Sequence, residues 1–303
     1  MTADAYQLAN AEVDGRCAVL LVLDDRNYRL TDVLGAPAPE HLAEVLARWE
    51  HWRPRIAVAA ANAPNGATPV RPDRWLAPVA PPKLICIGVN YHDHLQEMGG
   101  RHAPDIPYSF LKPVSTGIVG SGAEVGLPSG RKMVDWEAEL AIVIGATPGR
   151  HTGRDIFDAV AGYTILNDLS ARDWIASKSP EVGIDWVLMK AYDGFSPIGP
   201  LFTPKEFVPD PQNLGIRCWV NAELKQDSNT SQMVFDIQAI LEHLAGIMTL
   251  EPGDVIATGT PAGVGFGARP QQFLKPGDVV TVEIDGLGRL ETHIVESSQG
   301  AQT

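Results

Sequence analysis

Residues 133–145, MVDWEAELAIVIG, restrict the fold more than any other stretch of the chain. Two carboxylates, Glu137 and Glu139, stand two positions apart and lead straight into an apolar run. Strand side chains alternate between faces. A strand here therefore puts Glu137, Glu139, Ala141 and Val143 on one face, and Trp136, Ala138 and Leu140 on the other. Two like charges side by side on a buried strand repel each other and lose their hydration. Something cationic should hold them, and carboxylate oxygens suit a hard divalent metal such as Mg²⁺, Mn²⁺ or Ca²⁺. An edge strand with both glutamates in water satisfies the same spacing, so this stretch alone leaves both readings open.

Charge narrows the partners. The formal net charge of −13 argues against nucleic acid and against an anionic membrane surface. It leaves room for a small anionic substrate, because a bound metal reverses the sign of a local site. Cys17, Cys86 and Cys218 are odd in number and far apart, which suits free thiols in a reducing compartment. No basic segment followed by an apolar one opens the chain, and no apolar run reaches the length of a membrane span. A cytoplasmic protein is expected.

Taken in order, residues 1–77 read as a small N-terminal α/β module and residues 78–303 as the catalytic domain. In the module, 16–23 is a strand, 28–33 its partner, 39–52 an amphipathic helix and 61–72 a linker. The larger part opens with a buried strand at 83–89. The segment NYHDHLQE (90–97) follows, with Asn90 placed to cap a short helix and Gly99–Gly100 to end it. His94 and Glu97 lie three apart on one helical face, the spacing of a general-base pair in which the acid orients the imidazole. A solvated helix with an incidental pair has the same pattern. A strand over 162–168 ends in Asp168, which is either a site carboxylate or a cap for the residues after it. Lys190 falls in a segment that reads as an irregular loop, where a lysine usually faces solvent. Residues 231–248 give the best helix of this part. The glycine-rich loop 258–267, TGTPAGVGFG, fits G-x-G-x-x-A at Gly263, Gly265 and Ala268. No long helix follows it, so a rigid loop that approaches a ligand through its backbone is the better reading than a dinucleotide site.

Together these stretches resemble the fumarylacetoacetate hydrolase family, in the manner of its acylpyruvase and 2-hydroxyhepta-2,4-diene-1,7-dioate isomerase-like members. The resemblance runs over residues 83–295. It rests on GVNYHDHLQE, SFLKP, VDWEAELAIVIG, AGYTILNDLSARD, the Lys190 segment, LEPGDVIATGTPAGVG and FLKPGD in that order. It implies an α+β, mainly β fold, a mixed β-sandwich roll around a deep cleft. It also implies a bound Mg²⁺ or Mn²⁺ and a homodimer. By motif position Glu137, Glu139 and Asp168 match the metal ligands, with no obvious basic partner beside them in sequence. His94 and Glu97 match the catalytic pair, Lys190 a lysine near the scissile carbonyl, and Arg172 and Thr260 substrate contacts. Trp174 and Ile175 stand where many members carry glutamine, and Asn221–Ala222 replaces an Asn-Gly turn.

The chemistry implied is Lewis-acid catalysis on a chelated 2-keto acid. The first expectation is hydrolysis of a C–C bond in an acylpyruvate-like 1,3-diketo acid, with water activated by His94 and Glu97. The alternative is decarboxylation or keto–enol isomerisation of a 2-keto diacid with the same metal. A catalytically silent metal-binding protein is the alternative from another class, and the complete set His94, Glu97 and Lys190 argues against it.

Overall fold

The computed structural model describes residues 5–35, 37–62, 66–148, 154–175 and 183–297. In it the run after Glu137 becomes the strand Ala138–Ile144, and all of its residues are buried. It is not an edge strand. It pairs antiparallel with Val160–Asn167 on one side and Val255–Ala257 on the other. Its side chains alternate between two cores: Leu140, Ile142 and Ile144 enter one, Ala141 and Val143 the other. Burial on both faces explains why the segment reads as one continuous apolar run.

The molecule is mainly β, with a few short helices, as expected. The sheet around this strand has ten strands. Beyond Val255–Ala257 come Leu84–Gly88, in parallel, and the edge strand Tyr108–Lys112. Beyond Val160–Asn167 come Leu201–Pro204, Gln7–Val13, Arg16–Leu23 and Arg26–Arg29, with Arg74–Leu76 branching onto Gln7–Val13. A second sheet of five strands runs Glu223–Asn229, Gly215–Val220, Val279–Ile284, Gly288–Glu296 and Ala123–Leu127. The core between the sheets also takes in Ile237, Ile240, Leu241 and Leu244 from the helix Ile237–Ile247.

The N-terminal residues share this architecture. Leu8 and Ala9 pair with Phe202 and Leu201, so the large sheet runs unbroken into the N-terminal strands. The second core joins Trp49, Trp52 and Ile56 to Leu84, Cys86, Ala141 and Phe202. The change of character near residue 77 marks a change of topology, with one core running across it.

Several local expectations shift. The partner strand expected at 28–33 is only Arg26–Arg29, because Leu30 drops into the core and starts the helical turn Leu30–Leu34. The helix expected at 39–52 becomes Leu42–Leu46 and Trp49–Asn62. The second continues through Pro54, where a hydrogen bond is lost, because Trp49, Trp52, Ile56 and Ala60 bury its inner face. The 61–72 linker lies partly outside the described residues. The helix expected from 231 begins at Ile237, capped by Asp236, because the Val234 N–H is taken by the Asn90 carbonyl. The hairpin at Asn221 forms as expected, with Asn221 at φ 57° and its side chain bridging Asp278 and Val279.

Candidate active site

The strand register brings the carboxylates together. Ala138 pairs with Asn167 and Glu139 with Leu166, so Asp168 falls opposite Glu137 and donates its N–H to the Glu137 carbonyl at 2.9 Å. Glu137, Glu139 and Asp168 can each offer an oxygen within 4.8 Å of the others, and all three are buried. The edge-strand and cap alternatives therefore fall. The site lies at one end of the large sheet. The strands Val160–Asn167, Val255–Ala257 and Leu84–Gly88 all end there, and Ala138–Ile144 begins there.

Basic partners, unseen in the sequence, come from distant segments. Lys190 Nζ reaches Glu137 at 2.6 Å and Asp168 at 2.5 Å. Lys190 is not in a solvent-facing loop. It ends the helix Trp186–Lys190, whose start is capped by Asp185, and it is 3% exposed. Lys112, at the end of the edge strand, donates to Asp168 and to the Phe195 carbonyl. Arg172 donates Nη2 to Glu137 at 2.5 Å and Nε to Asp135 at 3.0 Å. Only a fold that closes over 56 residues could reveal the Lys112–Asp168 pair. Asp135 did leave a signal, since it continues the two-residue spacing of Glu137 and Glu139.

Four buried carboxyl groups thus meet three buried cations at this floor, one acid more than the cations balance. Burial alone would raise the Glu137 pKa, but Lys190 first and then Arg172 outweigh it and hold the group down at about 2. Glu139 is the reverse case. Burial, then the charges of Asp168 and Glu137, push its pKa well above the ordinary carboxylate range. It accepts the Gly259 N–H at 2.8 Å, and no ammonium or guanidinium pairs with it among the described residues.

The His94–Glu97 pair also assembles. His94 Nδ1 lies 3.0 Å from Glu97 Oε2 on the helix His92–Glu97, and Gly99 and Gly100 take positive φ just beyond it. His92 is exposed. Asn90 does not cap this helix. Its side chain accepts from the Phe235 N–H and donates to the carbonyls of Thr258 and Phe235, tying the helix start to the glycine-rich loop. That loop does not keep its amides for a ligand. Gly259 N–H serves Glu139, Gly263 N–H serves Glu97, and the N–H groups of Gly265 and Phe266 serve Asp135. A Cβ at Gly267 would lie 2.2 Å from the Glu97 carboxyl carbon, so glycine is required for this approach. The Thr260 hydroxyl donates to the Ala138 carbonyl and accepts from Gln226, so both of its roles are taken within the wall. Gln226, buried on the neighbouring sheet, was not foreseen; it also accepts the Ala138 N–H.

Above the floor opens a cleft of about 320 Å³. His94, Glu97, Glu137, Asp168, Arg172, Lys190 and Thr260 all line it. One wall is apolar: Phe110, Ile175, Trp186 and Met189, with Trp186 stacked on Phe110 at 4.2 Å. Arg101 and Arg269 also line the cleft and have no carboxylate partner among the described residues.

The donor set suits a hard divalent ion: three convergent carboxylates, one of them buried without a compensating charge. Glu137, Glu139 and Asp168 would hold it.

The model of the fumarylacetoacetate hydrolase C-terminal domain matches residues 83–295. The chain belongs to the fumarylacetoacetate hydrolase family. It is 47% identical, over 73% of its length and 68% of the relative's, to a mitochondrial oxaloacetate tautomerase of Xenopus laevis. It is 45% identical to a human mitochondrial oxaloacetate tautomerase, over 73% of this chain and 69% of the relative. Among solved structures, fumarylacetoacetate hydrolase from Exiguobacterium antarcticum covers 97% of this chain and all of its own, with TM-score 0.80 and 33% identity. Maleylpyruvate hydrolase from Sphingobium sp. SYK-6, in complex with manganese(II) and pyruvate, covers 96% of this chain and 100% of its own at TM-score 0.76 and 31% identity. This is therefore an enzyme family with an acidic metal-binding triad in place. No helix among the described residues is long and apolar enough to cross a membrane.

Proposed function

We propose that this family member interconverts the keto and enol forms of a short 2-keto diacid such as oxaloacetate. The observation that carries the reading is the high identity to oxaloacetate tautomerases, joined to a site in which the His94–Glu97 pair overlooks the carboxylate floor.

A divalent ion held by Glu137, Glu139 and Asp168 would supply Lewis acidity to a 2-keto acid through its carboxylate and keto oxygens. The rest falls to the chain's own groups. His94 Nδ1 is occupied by Glu97, which leaves Nε2 as the nitrogen that exchanges a proton with substrate C3. When that proton passes to Nε2, the C3–H electron pair becomes the C2=C3 bond, the C2=O π pair moves onto the keto oxygen as negative charge, and that oxygen takes up a proton from solvent to complete the enol. Lys190, bridging Glu137 and Asp168, lies where it can stabilise that charge. Arg172, aimed by Asp135, can take the C1 carboxylate. Arg101 and Arg269 offer the second carboxylate of a diacid two guanidinium groups with no carboxylate partner among the described residues, that of Arg269 held by the carbonyls of Phe266, Gly267 and Ala268.

Hydrolysis of an acylpyruvate-like acid is the second reading. It is favoured by the likeness to maleylpyruvate hydrolase and by the suitability of His94 for activating water. The test is deuterium exchange at C3 of oxaloacetate, followed by NMR in D₂O with Mg²⁺ or Mn²⁺, beside a panel of acylpyruvates. Rapid exchange without pyruvate formation supports tautomerisation. Pyruvate from oxaloacetate, or a carboxylic acid from an acylpyruvate, would move the assignment to decarboxylation or hydrolysis. The free thiols Cys17, Cys86 and Cys218 support a reducing compartment, the cytosol by the first expectation or the mitochondrion by likeness to the relatives. A homodimer is kept as part of the proposal, to be checked by sedimentation.

A further inference from the structure

Asp135 is fully buried and is neither a metal ligand nor a lining residue of the cleft. Its carboxylate nevertheless accepts four hydrogen bonds. Oδ1 takes the N–H groups of Gly265 at 2.7 Å and Trp136 at 2.9 Å. Oδ2 takes the Phe266 N–H at 3.0 Å and Arg172 Nε at 3.0 Å. Only a group that accepts at both oxygens satisfies this set. An asparagine, in either orientation, would point an NH₂ at two donors.

The two ends of these bonds lead to different parts of the chemistry. Through Nε, Asp135 fixes the plane of Arg172, whose Nη2 is bound to Glu137 and which lines the cleft. Through Gly265 and Phe266 it holds the loop whose Gly263 N–H binds Glu97 Oε1, and whose Gly267 presses against the same carboxyl. Gly265 can come this close only because it lacks a side chain: a Cβ there would meet the Gln272 carbonyl at 1.9 Å and Asp135 Oδ1 at 2.9 Å.

We propose that Asp135 is a positioning residue that sets the carboxylate-binding arginine and the proton-transferring pair from one anchor, so that a keto acid seated on Arg172 is presented to His94 in register. The assignment rests on the proposed reaction for its kinetic arm alone.

The test is a double-mutant cycle of Asp135→Asn with Arg172→Gln, read first by calorimetric binding of oxalate, an unreactive keto-acid mimic, to Mn²⁺-loaded protein. Asp135→Asn should weaken oxalate about tenfold, and the double variant should bind no worse than Arg172→Gln, since residues in one network are non-additive. In the exchange assay Asp135→Asn should both raise KM and lower kcat, whereas Arg172→Gln should act chiefly on KM. Losses that multiply in the double variant, or oxalate binding at the parent affinity, would overturn the assignment. If Asp135→Asn fails to fold, Arg172→Lys decides: a point cation cannot serve Asp135 and Glu137 together, so it should bind oxalate as weakly as Arg172→Gln. Parent-like binding by Arg172→Lys would show that charge alone matters. A parent protein that binds oxalate but exchanges no C3 proton would remove the proposed reaction and leave the binding cycle to judge Asp135. A parent that binds no oxalate would overturn the arginine subsite and Asp135 with it.

Discussion

The floor and the apolar wall of the cleft are built on opposite principles. On the floor, Glu137, Asp168, Lys112, Lys190 and Arg172 are buried, and each is tied to a charged neighbour. Removing one member leaves another buried and unpaired, the situation in which a single truncation destabilises most. On the wall, Phe110, Ile175 and Trp186 are only partly buried, and Phe110 and Trp186 meet through their stacked rings. Such contacts tolerate changes of shape. The difference separates two questions. In the proposed reaction the floor would hold and polarise the keto acid, and the wall would set what can be attached to it. Ile175, standing where many family members carry glutamine, belongs to the wall.

The comparison is broken most severely at Glu139, which pairs with no cation among the described residues. Glu139→Gln should leave the metal-free protein at least as thermostable as the parent, because burial and the acidic neighbours already favour the uncharged carboxyl, which the amide mimics. It should also abolish the rise in melting temperature that Mn²⁺ gives the parent through mass action. Activity should fall below detection in the same variant. An undiminished Mn²⁺ shift would mean that the ion does not use this carboxylate.

His94 tests the side of the cleft that moves protons. General acid–base catalysis contributes roughly 10²–10⁴-fold, so His94→Ala should slow C3 exchange by that order while the Mn²⁺ shift stays intact. Glu97→Gln should lose less, because the imidazole remains but its charged partner does not. Exchange at the parent rate in His94→Ala would place the base elsewhere.

Lys190→Met should be milder in rate and opposite in its effect on the ion. Loss of an oxyanion partner costs about 2–4 kcal/mol in the transition state. Yet Lys190 also competes for Glu137 and Asp168 through bonds of 2.6 and 2.5 Å, so its removal should not weaken Mn²⁺ binding. Parallel loss of metal affinity and rate, measured by calorimetry and exchange, would show that Lys190 supports the floor structurally.

The groupings legible from spacing alone are those whose partners lie a few positions away: Glu137 and Glu139 share a strand face, and His94 and Glu97 a helix face. Asp168 comes from motif order, and it is the strand register that sets it beside Glu137. Lys112 and Gln226 stayed hidden because their partners are brought by chain reversal: Lys112 bonds Asp168, and Gln226 bonds Ala138 and Thr260. The burial of Lys190 stayed hidden for the same reason. The segment around it carries little periodicity, and only the Asp185 cap turns it into a helix aimed at the floor. The glycine-rich loop was seen but misread. Glycines signal close approach, and here the approaching groups are the protein's own carboxylates.

The smallest effect expected is on the wall, and it sharpens the comparison because wall and floor share an element. Trp186 and Lys190 are the two ends of one short helix. Trp186 stacks on Phe110 with an interplanar angle of 10° and donates its indole N–H to the Tyr108 hydroxyl at 2.7 Å. An aromatic pair of this kind is worth about 0.5–1.5 kcal/mol beyond its buried area, so Trp186→Leu should shift substrate preference by no more than about tenfold. If the wall only selects the attached group, kcat for a short diacid should stay close to the parent value. The KM for a keto acid bearing a bulky acyl chain should change instead, and the Mn²⁺ shift should be untouched. Met189, buried between the two ends, keeps the helix seated when the tryptophan is shortened. A loss of kcat on every substrate, matching that of Lys190→Met, would show that Trp186 fixes the position of the ammonium. In that outcome the division between selecting wall and polarising floor fails at this helix.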